Sequence, residues 1–321
     1  MNSNEQSFVM DVYGQKALPY IYYKDKFAVQ QLEFFLEQSQ CDAGQSISDL
    51  KKSNQAFLLD KPALKSICSG AGSKKLDVNT LQNYLPDDYL PFSITFDTWG
   101  AYTKHRKYNW YQTTRPGYSL VLQLNFTQPH DVKYYQLIKP KHKHHRFRWT
   151  CHPVKDNHTL TCAWARLDFD LNTGEVLIEE IQNDWLRDVT AFMKSMESLV
   201  KDDKKKVKEH DFFSANNTTF ENLQEYHDSV LKPYRKMWDE AILSAAIWFS
   251  KRELGLNKIY YHTWETGAFL KDCEPPKSIY TKLPKKFGFK ASKTAPQFIQ
   301  ECQYLKKTLR NKDCGWWFLE L

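Results

Sequence analysis

The segment Trp238 to Lys251 constrains the fold more than any other. Trp238, Ala241, Ile242, Ala245 and Phe249 recur at helical spacing, and Leu243, Ala246, Ile247 and Trp248 widen the apolar arc until little of the circumference is polar. A helix like this must be covered on most sides. Gly255 closes it, and Lys258-Ile259-Tyr260-Tyr261-His262-Thr263 reads as a strand directly afterwards, a helix-to-strand unit of α/β type. The chain must therefore supply a sheet broad enough to bury the helix.

Period-two segments supply that sheet. Phe92-Ser93-Ile94-Thr95-Phe96 alternates, Tyr118 to Phe126 and Thr159 to Phe169 are rich in strand formers, and Glu175 to Gln182 follows the turn Asp170-Leu171-Asn172-Thr173-Gly174. The last two predict a long antiparallel hairpin. Gly315 to Leu321 predicts a buried terminal strand, and Ser278 to Leu283 a short helix after Pro275-Pro276, ending at Phe287-Gly288-Phe289. Residues 1–87 read as mainly helical, with an apolar face within Lys24–Gln40 and a second helical segment from Leu50 to Cys68. The spacing predicts a helical N-terminal module over 1–87 and an α/β domain over 88–321, carrying a polar insertion at about 186–234.

Composition narrows the class. With 321 residues, 41% of them apolar, and only 11 Gly and 13 Pro, the chain is neither disordered nor fibrous. The segment Met1 to Ser7 lacks the basic and apolar parts of a secretory signal, and no run of about 18 apolar residues exists, so a cytoplasmic location without membrane contact is expected. Seven scattered cysteines without a C-x-x-C pair disfavour a disulfide framework and a structural zinc site. The balance of 45 Lys+Arg against 38 Asp+Glu permits an anionic partner without requiring one.

The order strand, strand, tight turn, strand, buried helix, strand, short helix with Ile279-Tyr280 and Phe287-Gly288-Phe289, then a terminal aromatic strand resembles the GNAT acetyltransferase superfamily over roughly residues 90–321. The resemblance implies an α+β fold: a GNAT-like mixed, mostly antiparallel sheet with a buried central helix. It also implies transfer of an acyl group from acetyl-CoA or another acyl-CoA to an amine. On that reading the end of Val176–Gln182 splays from Lys258–Thr263 and opens a cleft for the pantetheine amide. Glu180 or Glu179 would act as the base, only one of the two facing the cleft because neighbours on a strand point to opposite faces. Tyr280 matches the family's Tyr that protonates the leaving thiolate. Gln182, Arg235, Lys236 and His262 fall where the cofactor would be held. The family's glycine-rich phosphate turn, Q/R-x-x-G-x-G/A, is missing: Asn183-Asp184-Trp185-Leu186-Arg187-Asp188 follows Gln182 instead. A local likeness joins Glu179-Glu180-Ile181-Gln182-Asn183-Asp184-Trp185 to the E-E-I-Q-S-D-W block of large phage and conjugative-element proteins.

A second function class rests on Lys139 to Trp149, which holds five Lys/Arg, three His and two aromatic residues. Interleaved cations and rings suit phosphate contact and base stacking, so Lys141, Lys143, Arg146, Arg148 and Trp149 are candidate nucleic-acid contacts. The same pattern also suits a plain basic loop between two strands. In this reading the chain is a non-catalytic nucleic-acid- or partner-binding protein of a mobile-element or defence-type system, with a protein partner on the N-terminal module. Cationic neighbours repel a metal from His142, His144 and His145, so no metal is expected there.

Overall fold

The structure is a computed structural model that describes residues 1–39, 44–72, 74–101, 112–141, 147–149, 152–154, 160–202, 204–272, 274–310 and 312–321. Eight strands form the main sheet: β1 (Leu18–Tyr22), β2 (Leu90–Ala101), β3 (Gly117–Asn125), β4 (Thr161–Asp170), β5 (Glu175–Gln182), β6 (Lys258–His262), β7 (Lys290–Ser292) and β8 (Trp316–Glu320). Their order is β1-β2-β3-β4-β5-β6-β8-β7. Among the described residues, every pairing in this sheet is antiparallel except β5 with β6. The mixed, mostly antiparallel α+β architecture expected from the sequence is present.

The β4–β5 hairpin forms as its turn predicts, with Gly174 at φ +68°, a conformation that costs glycine little. Beyond the turn the ladder is irregular. Arg166 pairs with Glu180 and Leu167 with Ile178, which leaves Glu179 as an extra, bulged residue. Parallel pairing of β5 with β6 runs from Glu175↔Lys258 to Ile178↔Tyr261 and then stops, while β5 continues to Gln182. β6 itself ends one residue after the last pair, so the carboxyl end of β5 runs on past it.

Five helices shape the core and the ground around this end of β5: α1 (Lys26–Gln38), α2 (Asp184–Asp202), α3 (Lys232–Arg252), α4 (Trp264–Lys271) and α5 (Lys277–Lys286). The long apolar helix is α3, and it lies across β4 and β5 with Ala241, Ile242, Ala245, Ala246 and Phe249 buried. Pro233 sits in its first turn, where a missing N–H costs nothing. A π-helical turn, Tyr226–Val230, leads into it.

Residues 1–87 are largely helical, yet they also supply β1, which pairs with β2 from Leu18↔Ile94 to Tyr22↔Leu90. Pro19 sits exposed on this outermost strand, a position where proline's missing donor is tolerated. Helix α1 packs on α3, and the two are tied by Gln30 Nε2 to Ser244 O (3.2 Å) and, from β1, by Tyr20 Oη to Ser244 Oγ (3.0 Å). Contacts therefore cross the boundary expected near residue 88 in both layers. The stretch 186–234, expected as a polar insertion, is helical with an apolar side: Val189, Phe192, Met193, Phe212, Leu223 and Tyr226 are all buried. Among the described side chains, Lys194, Lys201, Lys205, Lys206 and Lys232 are exposed.

Candidate active-site cleft

The notch past the end of β6, beside β5, is filled. The short helix α4 starts at Thr263, whose side chain caps Thr266 N, and turns back over the end of β6. Gly267 permits this, since a Cβ there would lie 3.2 Å from His262 Cβ. The helix delivers Lys271, fully buried, into the notch. Its Nζ donates to the bulged carbonyl of Glu179 (2.9 Å), lies 3.6 Å from the Glu180 carboxylate, and is 3.5 Å from Tyr280 Oη. The splayed slot expected from the resemblance is not open: β6 ends one residue past the last parallel pair, and Lys271 lies against the end of β5 beyond it.

Open volume lies beside the notch instead. A cleft of about 710 Å³ is bounded by Glu180 and Gln182 of β5, Arg187 and Lys194 of α2, and Arg235 and Trp238 of α3. Trp149 and His152 form its outer rim, and Glu274, Pro275, Pro276 and Ser278 lead into α5 on the far side. Among the described residues, the lining sets three full cations against two carboxylates, with two tryptophans. Position also counts, because α/β proteins place ligands beyond the carboxyl ends of strands where the topology switches.

The two candidate carboxylates have different surroundings. Glu179 is wholly buried and faces β3: its Oε1 accepts from Thr114 N (2.6 Å) and its Oε2 from Ser119 Oγ (2.7 Å). Glu180 borders the cleft but is engaged by Arg166 Nη2, which also donates to Gln112 O (2.9 Å). Burial alone would raise the Glu180 carboxyl; Lys271 and Arg166 outweigh it and hold the group below the usual carboxylate range. An acid so stabilised in its ionised form is a weak proton acceptor at neutral pH. Arg166, Lys271, Glu179 and Glu180 together form a charge-balanced buried cluster under the cleft floor.

A second network sits at the β5–α2 junction. Asp184 accepts four hydrogen bonds, from His152 Nδ1 (2.7 Å) and Trp164 Nε1 (3.0 Å) on one oxygen and from Gln182 Nε2 (2.6 Å) and Arg187 Nη2 (2.9 Å) on the other. Burial pushes its carboxyl up, but the hydrogen bonds from His152 and Trp164 lead the opposing effects and keep it low. At the same helix end Asn183 Oδ1 accepts from Arg187 N (3.1 Å). The N-terminus of α2 thus carries two polar side chains, Asn183 and Asp184, with Asp184 committed to side-chain donors.

The other residues singled out from the sequence are scattered. Arg235 reaches the cleft while donating through Nη1 to His227 O, whereas Lys236 is exposed and off the wall. His262 is fully buried, with Nε2 against Thr114 Oγ1 (2.8 Å); burial first, then Lys271 and Arg166, push it well below the ordinary histidine range, so it is neutral. Tyr280 is buried beneath the cleft, stacked on Tyr261 at 5.0 Å, and its carbonyl accepts from Trp317 Nε1 (2.8 Å). Of the basic segment, Trp149 is 43% exposed and Arg148 is half-buried beside it. Lys141 is exposed and reaches Ser214 O, while Lys143 and Arg146 fall outside the described residues.

Sequence reasoning missed Lys271, His152 and Asp184. Asp184 was visible as the acidic residue where the glycine turn should be, but Lys271 and His152 meet their partners across 91 and 32 positions, and no local pattern marks them. No family model matches the chain, and neither a curated protein nor a solved structure matches it.

Proposed function

We propose that the chain is an acyltransferase-like protein on a GNAT-like scaffold, taking an acyl-CoA in the cleft beside β5 and passing its acyl group to an amine. The observation that carries this reading is the cleft of about 710 Å³ beside the carboxyl end of β5, next to the point where parallel pairing with β6 ends at Ile178/Tyr261. Strand order around the parallel pair, β4-β5-β6-β8-β7, and the bulge at Glu179 add support. Bound there, an acyl-CoA supplies a thioester carbonyl. Arg187, Lys194 and Arg235 fit its phosphates as side-chain cations, in place of the backbone grip of a glycine-rich turn, which the sequence after Gln182 lacks. Trp238 offers an apolar wall, and Gln182 is the polar side chain nearest the end of β5.

Calorimetric titration with acetyl-CoA tests this. Saturable binding is expected, weakened about tenfold or more by Arg235→Glu and unchanged by Lys141→Ala. No binding at about millimolar acetyl-CoA, a concentration at which half-saturation corresponds to only about 4 kcal/mol, overturns the reading.

One observation favours a second reading. Trp149 is 43% exposed at the cleft mouth with the Arg187 guanidinium 5.6 Å from its ring, a pairing suited to a stacked base beside a phosphate. If the chain holds single-stranded nucleic acid, an oligonucleotide will bind with steep salt dependence and Trp149→Ala will cost about 1–3 kcal/mol. Binding that does not respond to salt counts against it.

A further inference from the structure

The cleft contains a base that the carboxylates of β5 do not provide. His152 stands at the rim between two tryptophans, with the Trp149 ring stacked on it at 5.7 Å and 18° and Trp164 edge-on at 5.8 Å. These rings fix the plane of the imidazole. Its Nδ1 lies 2.7 Å from an oxygen of Asp184, a carboxylate that is nine-tenths buried and accepts from three further donors. An ionised carboxylate only accepts, so Nδ1 carries the hydrogen in the neutral ring. Gln182 Nε2, 3.2 Å from the same nitrogen, directs its shorter bond at Asp184. The lone pair is left on Nε2. At 26% side-chain exposure, the ring is neither sealed in the core nor loose in solvent.

We infer that His152, held in the Nδ1–H tautomer by Asp184, is the proton acceptor of this cleft. A carboxylate behind a histidine orients the ring and stabilises the imidazolium that forms in front. In the proton transfer itself, a primary ammonium group entering the cleft loses one proton to Nε2. The N–H bond of the ammonium breaks, an Nε2–H bond forms, the positive charge moves to the imidazole, and the proton later leaves to water. The product is a neutral amine with a free lone pair. Only the identity of that proton donor rests on the acyl-CoA reading. The charged groups that share the cleft with the ring are Glu180 on β5, Arg187 and Lys194 on α2, Arg235 on α3 and Glu274 before α5, with Asp184 at the β5–α2 junction behind it. Asp184 is the one in direct contact. Glu180, already engaged by Arg166 and Lys271, keeps its proton off at neutral pH and so leaves this task to the imidazole.

The experiment is chemical modification of the intact chain with diethyl pyrocarbonate, which attacks unprotonated imidazole nitrogen, read at His152 by peptide mass spectrometry across pH. The wild type is expected to react readily at neutral pH. Asp184→Asn, which can turn the ring to the wrong tautomer, should slow the reaction about tenfold. ¹⁵N-histidine NMR of the wild type gives the tautomer directly, whatever the variant does to folding, and the Nδ1–H form is expected. Observation of the Nε2–H form, or a His152 rate unchanged in folded Asp184→Asn, overturns the assignment. Acetyl-CoA added during modification separates the two claims: protection supports both. Fast modification without protection overturns the cofactor reading and leaves the dyad standing.

Discussion

At the scale of single residues the molecule is governed by a few buried charges that meet far along the chain. Lys271 is the sharpest case. Its ammonium satisfies a carbonyl released from the ladder by the bulge and lies against Glu180, which also has Arg166. Lys271→Met keeps most of the side-chain volume but strands the Glu179 carbonyl and removes one of two cations from Glu180, and we expect it to cost about 3 kcal/mol. Urea denaturation measures this, and an unchanged midpoint would show that the lysine is not part of the buried cluster. The sequence made Glu179 and Glu180 conspicuous, and strand alternation predicts that they face opposite ways; the bulge at Glu179 breaks that alternation, so both carboxylates lie on the face that carries Ser119 and Arg166, their respective partners. The sequence was silent on Lys271, because a lysine at the end of an eight-residue helix looks like any solvated terminus until the strand beneath it is known.

The elements were more legible than the residues. Apolar periodicity located α3, and alternation located β3, β4, β5, β6 and β8, because each buries one face or both and the pattern survives without tertiary information. Elements whose burial is partial escaped. β1 is five residues with a proline, and α4 is short and begins on the polar edge of a strand. The stretch after Trp185 also misled, since its lysines mask an amphipathic helix whose buried side includes Phe192 and Met196. For α3 the orientation is testable. Ala245 is wholly buried on the face packed against the sheet layer, so Ala245→Leu should destabilise by about 1–3 kcal/mol through overpacking. Lys236→Ala, on the exposed side of the same helix, should change stability by less than about 0.5 kcal/mol. Thermal melts of the pair read the difference, and equal effects would mean that the helix is turned the other way.

For the molecule as a whole, buried ionisable groups set the response to acid. Burial pushes Asp168 up, but the Met1 ammonium and the Arg115 clasp (2.7 and 3.0 Å) outweigh it, so Asp168 joins Glu180 and Asp184 below the usual carboxylate range. A carboxylate depressed in the folded state stabilises fully above its unfolded value and loses that contribution as pH falls through the folded one. His130 and His262, both lowered chiefly by burial, act in the same direction from an ordinary histidine value downward, because the unfolded chain takes up the proton first. Glu175 and Asp239, raised by burial, oppose the trend. We expect the melting temperature to fall in two stages on acidification, the first starting near pH 6.5 and the second below about pH 4. Calorimetric scans from pH 7 to pH 3 check this, and a melting temperature constant down to pH 4 would remove the histidine stage. The sheet also limits how copies of the chain can meet. Its two outermost strands are five and three residues long, one bearing the exposed Pro19 and the other beginning at the exposed Lys290. A second copy approaching either margin finds too few free peptide groups to extend the ladder, and the molecule is thereby protected against fibre-like self-association along its own sheet.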